Sequence, residues 1–154
     1  MKKSLILILA SAMTMLLAGS CCPCRKASNK NHKPLTATEW SLVQMEGRNI
    51  TADFTAEECP RLVLATDGSF GGYGGCNSMG GEYKLTPSEA PSQRDKAGVI
   101  TLGNIFSTKR MCPNDRLEME FFTLLSKVDA YTIEGSKLFL FDDGELKLVF
   151  DVKK

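Results

Sequence analysis

Two short segments govern what this 154-residue chain can become. The first is the glycine-dense run Gly71-Gly72-Tyr73-Gly74-Gly75-Cys76-Asn77-Ser78-Met79-Gly80-Gly81-Glu82-Tyr83. The second is Ser107-Thr108-Lys109-Arg110-Met111-Cys112-Pro113, which stands just before a stretch of helical periodicity. Glycine at this density permits positive φ, a bulge or close backbone approach in a sharply coiled sheet. Each segment holds one cysteine. In an oxidising compartment the two can meet, so the pair predicts a small β-rich domain with a stapled core.

The N-terminus supplies that compartment. Lys2 and Lys3 form a basic start, Leu5 to Leu17 an apolar stretch, and Ala18-Gly19-Ser20 a small-residue exit before Cys21. The apolar part is too short to span a bilayer, which favours a cleaved signal over a membrane helix. A cysteine directly after small residues resembles the bacterial lipobox, whose cysteine is diacylated (palmitate is a typical chain) and becomes the mature N-terminus. Residues 1–20 are therefore read as a lipoprotein signal peptide and Cys21 as the lipid attachment site. Ala18 departs from the usual lipobox leucine, and Cys22 is the second candidate. An ordinary cleaved signal beside a free cysteine is the plainer alternative.

Residues 21–37 are polar, basic and almost free of large apolar groups. They read as a flexible tether, because such a stretch cannot bury enough surface to offset its ordering entropy. The folded domain is placed at 38–154. Removing Lys2 and Lys3 from the 19 basic residues leaves 17 against 18 acidic ones, a net charge near −1. A near-neutral chain has no electrostatic footprint for nucleic acid, which is excluded as a partner.

Six cysteines divide into a terminal group, Cys21, Cys22 and Cys24, and a body group, Cys59, Cys76 and Cys112. With Cys21 acylated, five thiols remain, so one stays unpaired or pairs between chains. Cys76 with Cys112 is the favoured bridge, and Cys59 with either of them is the rival.

Period-two hydrophobic patterning runs through most of the body. Strands are expected at Glu39–Met45, with Arg48–Ala52 as its continuation past the turn, and at Arg61–Thr66, Ser69–Gly75, Glu82–Thr86, Val99–Leu102, Ala130–Ile133, Lys137–Phe141 and Glu145–Val152, several of them joined at Glu46-Gly47, Asp67-Gly68, Glu134-Gly135-Ser136 and Asp143-Gly144. Pro87–Lys96 reads as an exposed loop. Leu138 to Phe141 is apolar on both faces and reads as a central strand. In Glu145–Val152, Leu146, Leu148 and Phe150 alternate with Lys147, Val149 and Asp151, as in a strand with one buried face. From Asn114 to Val128, Leu117, Phe121, Leu124, Leu125 and Val128 recur at helical spacing behind Asn114 as cap. The sum is α+β: about eight strands of mostly antiparallel sheet, barrel-like or strongly coiled, with one helix before the last strands.

Candidate chemistry is sparse. A phosphate-cradling loop needs N–H groups at a helix N-terminus, whereas strand residues follow this glycine run. Asn77 reads as a turn residue bonding local backbone. Cys76 and Cys112 could act as a redox dithiol, although that chemistry favours a close Cys-x-x-Cys. Cys22, Cys24 and His32 offer soft-metal ligands suited to Cu(I) or zinc. Lys109 and Arg110, with Lys84, form a candidate ligand or anion patch; the competing expectation is solvation or pairing with the helix acids Glu118 and Glu120. Asn49-Ile50-Thr51 matches a glycosylation sequon without a bacterial context for it. The body lacks histidine, so no Ser-His-Asp triad or histidine metal site can be assembled there. Glu57, Glu58, Asp142 and Asp143 read as loop acids. No cofactor, no metal and no enzyme activity are expected.

In order, Trp40-Ser41-Leu42 with Gly47, Gly75-Cys76-Asn77 with Gly80 or Gly81 and Tyr83, Thr108-Lys109-Arg110-Met111-Cys112, the helix and the closing hairpin resemble the META domain of HslJ-like heat-shock lipoproteins. The similarity covers about Thr38 to Val152. It implies a place in the bacterial envelope and an association with heat-shock expression and, in places, antibiotic tolerance; the domain is expected to be monomeric. The expected role is that of a non-catalytic lipoprotein, held on the membrane through its N-terminal lipid (outer membrane, periplasmic side), that binds an envelope protein or small ligand. The alternatives are inhibition of a cell-wall hydrolase such as lysozyme, and thiol redox or copper handling through the N-terminal cysteines.

Overall fold

Antiparallel pairing follows the chain in sequence order until it closes on itself. The computed structural model describes residues 32–55, 57–87, 97–112 and 115–153. The signal segment, residues 21–31 of the expected tether with Cys21, Cys22 and Cys24, the loop from 88 to 96 and the expected cap Asn114 lie outside them. The strands are β1 (Glu39–Met45), β2 (Arg48–Asn49), β3 (Arg61–Leu64), β4 (Ser69–Tyr73), β5 (Ser78–Pro87), β6 (Ala97–Ser107), β7 (Ala130–Glu134), β8 (Lys137–Asp142) and β9 (Glu145–Val152), with the helix α1 (Asp115–Leu125) between β6 and β7. Each strand from β3 onward pairs with its predecessor in the ring, and β9 returns to β1 through Trp40↔Val152, Leu42↔Phe150 and Met45↔Leu148. Eight strands thus form a closed antiparallel barrel, and β2 adds a short flap beside the end of β1. Closure removes the unpaired edges on which sheets aggregate. Register shifts between Leu42 and Gln44, Gly80 and Glu82, and Leu140 and Phe141 supply the local twist that such closure requires.

Alternation fills the inside. Trp40, Leu42, Leu62, Leu64, Phe70, Ile100, Leu102, Tyr131, Ile133, Leu138, Leu140, Leu148 and Phe150 are all buried. Because the sheet is closed, β8 is not a central strand. Its Leu138 and Leu140 face the core while Phe139 and Phe141 are half-buried. Along β9, Leu148 and Phe150 are buried as expected, but Val149 is buried too and Leu146 is exposed, since the bulge at Leu140/Phe141 offsets the alternation. The helix plugs one end of the barrel with Phe121, Leu124 and Leu125, the Phe121 ring lying 6.2 Å from that of Phe150. No described helix is long and apolar enough to cross a membrane.

Several sequence expectations shift. Strand β2 stops at Asn49, short of Ala52, and β6 runs from Ala97 to Ser107, well beyond Val99–Leu102. Strand β5 begins at Ser78, inside the glycine run, four residues before Glu82. Glycine lowers strand propensity, yet here its missing side chain makes room. The Phe106 ring lies over Gly80, and Phe70 and the Gly103 carbonyl close on Gly81. The packed chain also begins before Thr38. Leu35 is buried, Thr36 bridges Leu64, and the Trp40 indole N–H donates to the Leu35 carbonyl at 3.0 Å. A buried indole needs an acceptor, and the segment ahead of β1 provides one.

The barrel therefore has two distinct ends. At one, the N-terminal segment, the β7–β8 turn and the end of β9 meet: Lys33 N donates to Gly135 O at 3.1 Å and Val152 N to Ser136 O at 3.0 Å. At the other lie α1, the glycine turn, the end of β6, and the Glu46-Gly47 and Asp143-Gly144 turns. Both residues of each of those turns have positive φ, the geometry of a two-residue hairpin loop.

If Leu35 belongs to the core, Leu35→Ala lowers unfolding free energy by about 2–3 kcal/mol in urea titration monitored by Trp40 fluorescence. A solvated tether would leave the midpoint unchanged.

Candidate functional site

The two segments singled out by sequence meet beside the first turn of α1. Gly74 to Asn77 form a tight turn in which Gly74 N donates to Asn77 O at 2.8 Å and Gly75 takes φ +114°, a backbone state that L side chains rarely adopt. Cys76 in this turn bridges Cys112, with Cα atoms 6.0 Å apart across a sequence separation of 36. Closing a loop of that length stabilises by about 4 kcal/mol on chain-entropy grounds. Cys59, the rival partner, is a free thiol that donates to the Leu42 carbonyl at 3.3 Å. Burial pushes its pKa up, and the nearby Arg61 charge opposes that only in part.

Under the turn sits Glu118, 4 % exposed. Its Oε1 accepts the Cys76 N–H at 3.1 Å and the Asn77 N–H at 2.6 Å, and its Oε2 accepts Asn77 Nδ2 at 2.7 Å. Asn77 is satisfied at every position. Nδ2 also donates to Arg110 O at 3.2 Å, and Oδ1 accepts from Thr108 Oγ1 at 2.8 Å and Arg110 N at 2.6 Å. Thr108 completes the seam, its N donating to Ser78 O at 3.0 Å and its Oγ1 accepting Ser78 N at 3.2 Å. Among the described residues no buried side-chain polar atom lacks a partner. Hydrogen bonds to a charged group contribute about 1.5–3 kcal/mol each.

Asn77 is thus no local turn residue; its side chain joins the two motifs and the helix. The glycine loop does aim successive N–H groups at an anion, as phosphate loops do. The anion is the chain's own Glu118 carboxylate. Gly74 makes this possible, because a Cβ there would stand 2.5 Å from both Glu118 Oε1 and the Phe122 ring. The sequence suggested Glu118 as a pairing partner for Lys109 or Arg110, and this role was missed. The signal was its position: Glu118 is three residues before Phe121 and seven before Leu125, on the buried stripe of the helix.

Lys109, Arg110 and Met111 follow from that seam. Their backbone is held by Asn77 on one side and the disulfide on the other, and their side chains face solvent, Met111 completely and Phe106 beside them at 68 %. Among the described residues neither cation is ion-paired, since Glu118 turns inward and Glu120 lies 3.9 Å from Arg48. Lys84 is not part of this patch. It sits opposite Thr101 on β5, six residues from Ser78, which places it about 20 Å along the strand. Of the remaining candidates, Glu57 and Glu58 occupy the loop before β3, and Glu58 accepts from Thr55 Oγ1 at 3.2 Å. Asp142 and Asp143 lie where β8 turns into β9. His32 accepts the Gly135 N–H at Nδ1, 3.2 Å away, and no three His, Cys, Asp or Glu side chains converge among the described residues. In the sequon, Asn49 Oδ1 is held by Thr51 N and Oγ1.

Glu118→Ala would strand three donors and lower stability by roughly 3 kcal/mol or more, whereas Glu118→Gln, which keeps the backbone acceptor, costs about half as much; chemical denaturation of both variants checks the order. Cys59 has a raised pKa, so less of it is thiolate at pH 8 than in a free cysteine. Peptide-level iodoacetamide labelling should be several-fold slower there than for an unstructured thiol, and should rise toward higher pH.

The comparisons agree with this architecture. An NMR structure of a protein from Burkholderia xenovorans is similar with a TM-score of 0.58 and 24% identity over 78% of this chain and 84% of that one. A second NMR structure gives 0.53 and 19% over 75% and 88%. A crystal structure of a DUF4847 family protein from Bacteroides vulgatus gives 0.51 and 16% over 78% and 95%. At these identities the likeness is one of fold. No curated protein matches. The META domain family matches residues 33–154, the whole of the barrel with the segment that enters it, and the chain belongs to that family.

Proposed function

We propose that this META protein is a non-catalytic, lipid-anchored component of the cell envelope that supports stress tolerance by binding a partner through the shoulder Phe106–Lys109–Arg110–Met111. The observation that carries this is the contrast at residues 108–112. The backbone is fixed by Asn77 and by the Cys76–Cys112 bridge, yet among the described residues the three side chains between those supports make no intramolecular contact of charge. Two cations flanked by exposed Phe106 and Met111 suit an anionic partner surface with an apolar margin. A shoulder already held in place loses little conformational freedom on binding.

The non-catalytic reading is supported by the polar cluster itself. Glu118, Asn77 and Thr108 spend their hydrogen-bonding capacity on one another and on backbone, so the cluster is built to hold the motifs together. The anchored reading is supported by the Lys2–Cys21 pattern, and a disulfide in the folded body suits an oxidising compartment.

A photo-crosslinking residue at Met111 of the acylated protein, expressed in cells, should yield a discrete envelope adduct. Lys109→Glu/Arg110→Glu should cut its yield about tenfold without shifting the thermal midpoint. An adduct no stronger than that from a probe at exposed Glu57, or one insensitive to charge reversal, would overturn the assignment.

A further inference from the structure

Strand β6 outruns its neighbour on one side. It pairs with β5 along nearly its whole length, from Pro87↔Gly98 to Met79↔Ser107, but β7 meets only Ala97, Gly98 and Val99. Ile100 N still donates to Asp129 O at 3.0 Å; beyond it no described strand pairs with that side of β6. Core packing covers the next part, since Leu102 is buried and Ile105 half-buried. From Phe106 to Met111 every residue is exposed. Barrel closure therefore stops short of one length of chain, and an unpaired edge is a template for another strand.

Hydrogen bonding shows which groups that edge presents. Thr108 follows Ser107 opposite Ser78, and its N donates to Ser78 O at 3.0 Å. In an antiparallel ladder, opposed residues alternate between pairs that exchange bonds and pairs whose N–H and C=O point to the other side. Phe106, opposite Gly80, and Thr108 thus turn their backbone groups toward β5, while Ser107, opposite Met79, turns its own away. The alternation runs on past the strand. Arg110 N donates to Asn77 Oδ1 at 2.6 Å and Arg110 O accepts Asn77 Nδ2 at 3.2 Å, so Lys109 faces outward as Ser107 does. Among the described residues nothing bonds the backbone of Lys109 or the outward groups of Ser107. The register shift between Gly80 and Glu82, with Asn104 at φ +52°, bounds this edge upstream, as a bulge does.

We infer that an extended, carboxylate-bearing segment of an envelope protein adds to the barrel here as a further strand. Its backbone bonds Ser107 and Lys109, its carboxylates lie beside Lys109 and Arg110, and an apolar residue packs against Phe106. This rests on the shoulder reading and names how the partner is held. In strand addition, main-chain bonds supply affinity and alternate side chains supply selection. Charge chooses the occupant. Neither cation is ion-paired among the described residues, and the exposed Phe106 and Met111 flank them. A second copy pairing edge to edge would add two more uncompensated cations to the seam, and like charges across strands repel. An acidic segment neutralises both.

The first measurement is residue-level amide hydrogen exchange on the mature protein with a synthetic peptide of about ten residues, alternating threonine and valine around a central pair of glutamates. At about 1 mM peptide, exchange at Ser107 and Lys109 should slow about tenfold, while Phe106 and Thr108, already bonded, change little. The same peptide with lysines in place of glutamates should protect neither. Unchanged exchange at Ser107 and Lys109, protection spread evenly over 106–109, or equal protection by the lysine peptide would each overturn the inference. The second measurement separates it from the shoulder reading. Ser107→Pro removes an N–H that β5 does not use, a change that edge positions tolerate. It should cut the Met111 envelope adduct about tenfold, while Ser107→Ala leaves the adduct unchanged. An adduct formed equally well by Ser107→Pro protein would keep the shoulder and remove the strand. Where Ser107→Pro does not fold, or where no adduct forms and the shoulder reading fails, exchange on the unmodified chain decides the strand by itself.

Discussion

A buried carboxylate holds this domain's two signature segments against its helix. Glu118 receives both N–H groups of the Cys76–Asn77 turn and the Asn77 amide, and Asn77 in turn receives Thr108 and Arg110. A carboxylate this deep is unfavourable unless its oxygens are occupied by donors. The glycines before Cys76 bring those donors near, and the bare Cα of Gly74 leaves space for the carboxylate to arrive. The conformation of the turn, the position of the helix and the path of residues 108–112 are consequently one arrangement, and none of the three can be altered alone.

The disulfide and the barrel closure act at a different level. Pairing of β1 with β9 ties the two ends of the folded body together, and the bridge from Cys76 to Cys112 encloses β5 and β6. The covalent link shrinks the unfolded ensemble by about 4 kcal/mol of loop entropy, but it does not choose where the intervening side chains point. That choice comes from the hydrogen-bonded seam. Oxidation and the buried cluster are complementary, one limiting what the unfolded chain can explore and the other selecting a single geometry within it.

Much of this was visible in the amino-acid sequence, for reasons that can be named. Asp-Gly and Glu-Gly pairs mark turns because glycine takes positive φ readily; at Glu46-Gly47 and Asp143-Gly144 both residues take it, and at Asp67-Gly68 and Glu134-Gly135 the glycine alone does. The helix announced itself through Leu117, Phe121, Leu124 and Leu125, and the α+β class followed from one such stretch among many alternating ones. Less visible was everything that depends on tertiary approach. Gly80 and Gly81 look like breakers until Phe106 and Phe70 are laid over them. Leu35 looks like part of a tether until the Trp40 indole is seen to need its carbonyl. Lys84 and Lys109 look like neighbours in charge until β5 separates them. Glu118 shows the limit most clearly: helical spacing put it on the buried face, but only the fold reveals donors waiting there.

The pattern of what is exposed then gains meaning from what is buried. In Thr108-Lys109-Arg110-Met111-Cys112, the first and last residues are committed to the scaffold and the middle three are offered to solvent, with an apolar side chain fully exposed. A fully exposed methionine next to cations that are unpaired among the described residues does nothing for the stability of a monomer, and a rigid backbone beneath them restricts their options further. Such an arrangement is economical only where the side chains meet something outside the molecule. The shoulder lies at the helix-plugged end of the barrel, opposite the end where the segment ahead of β1 enters.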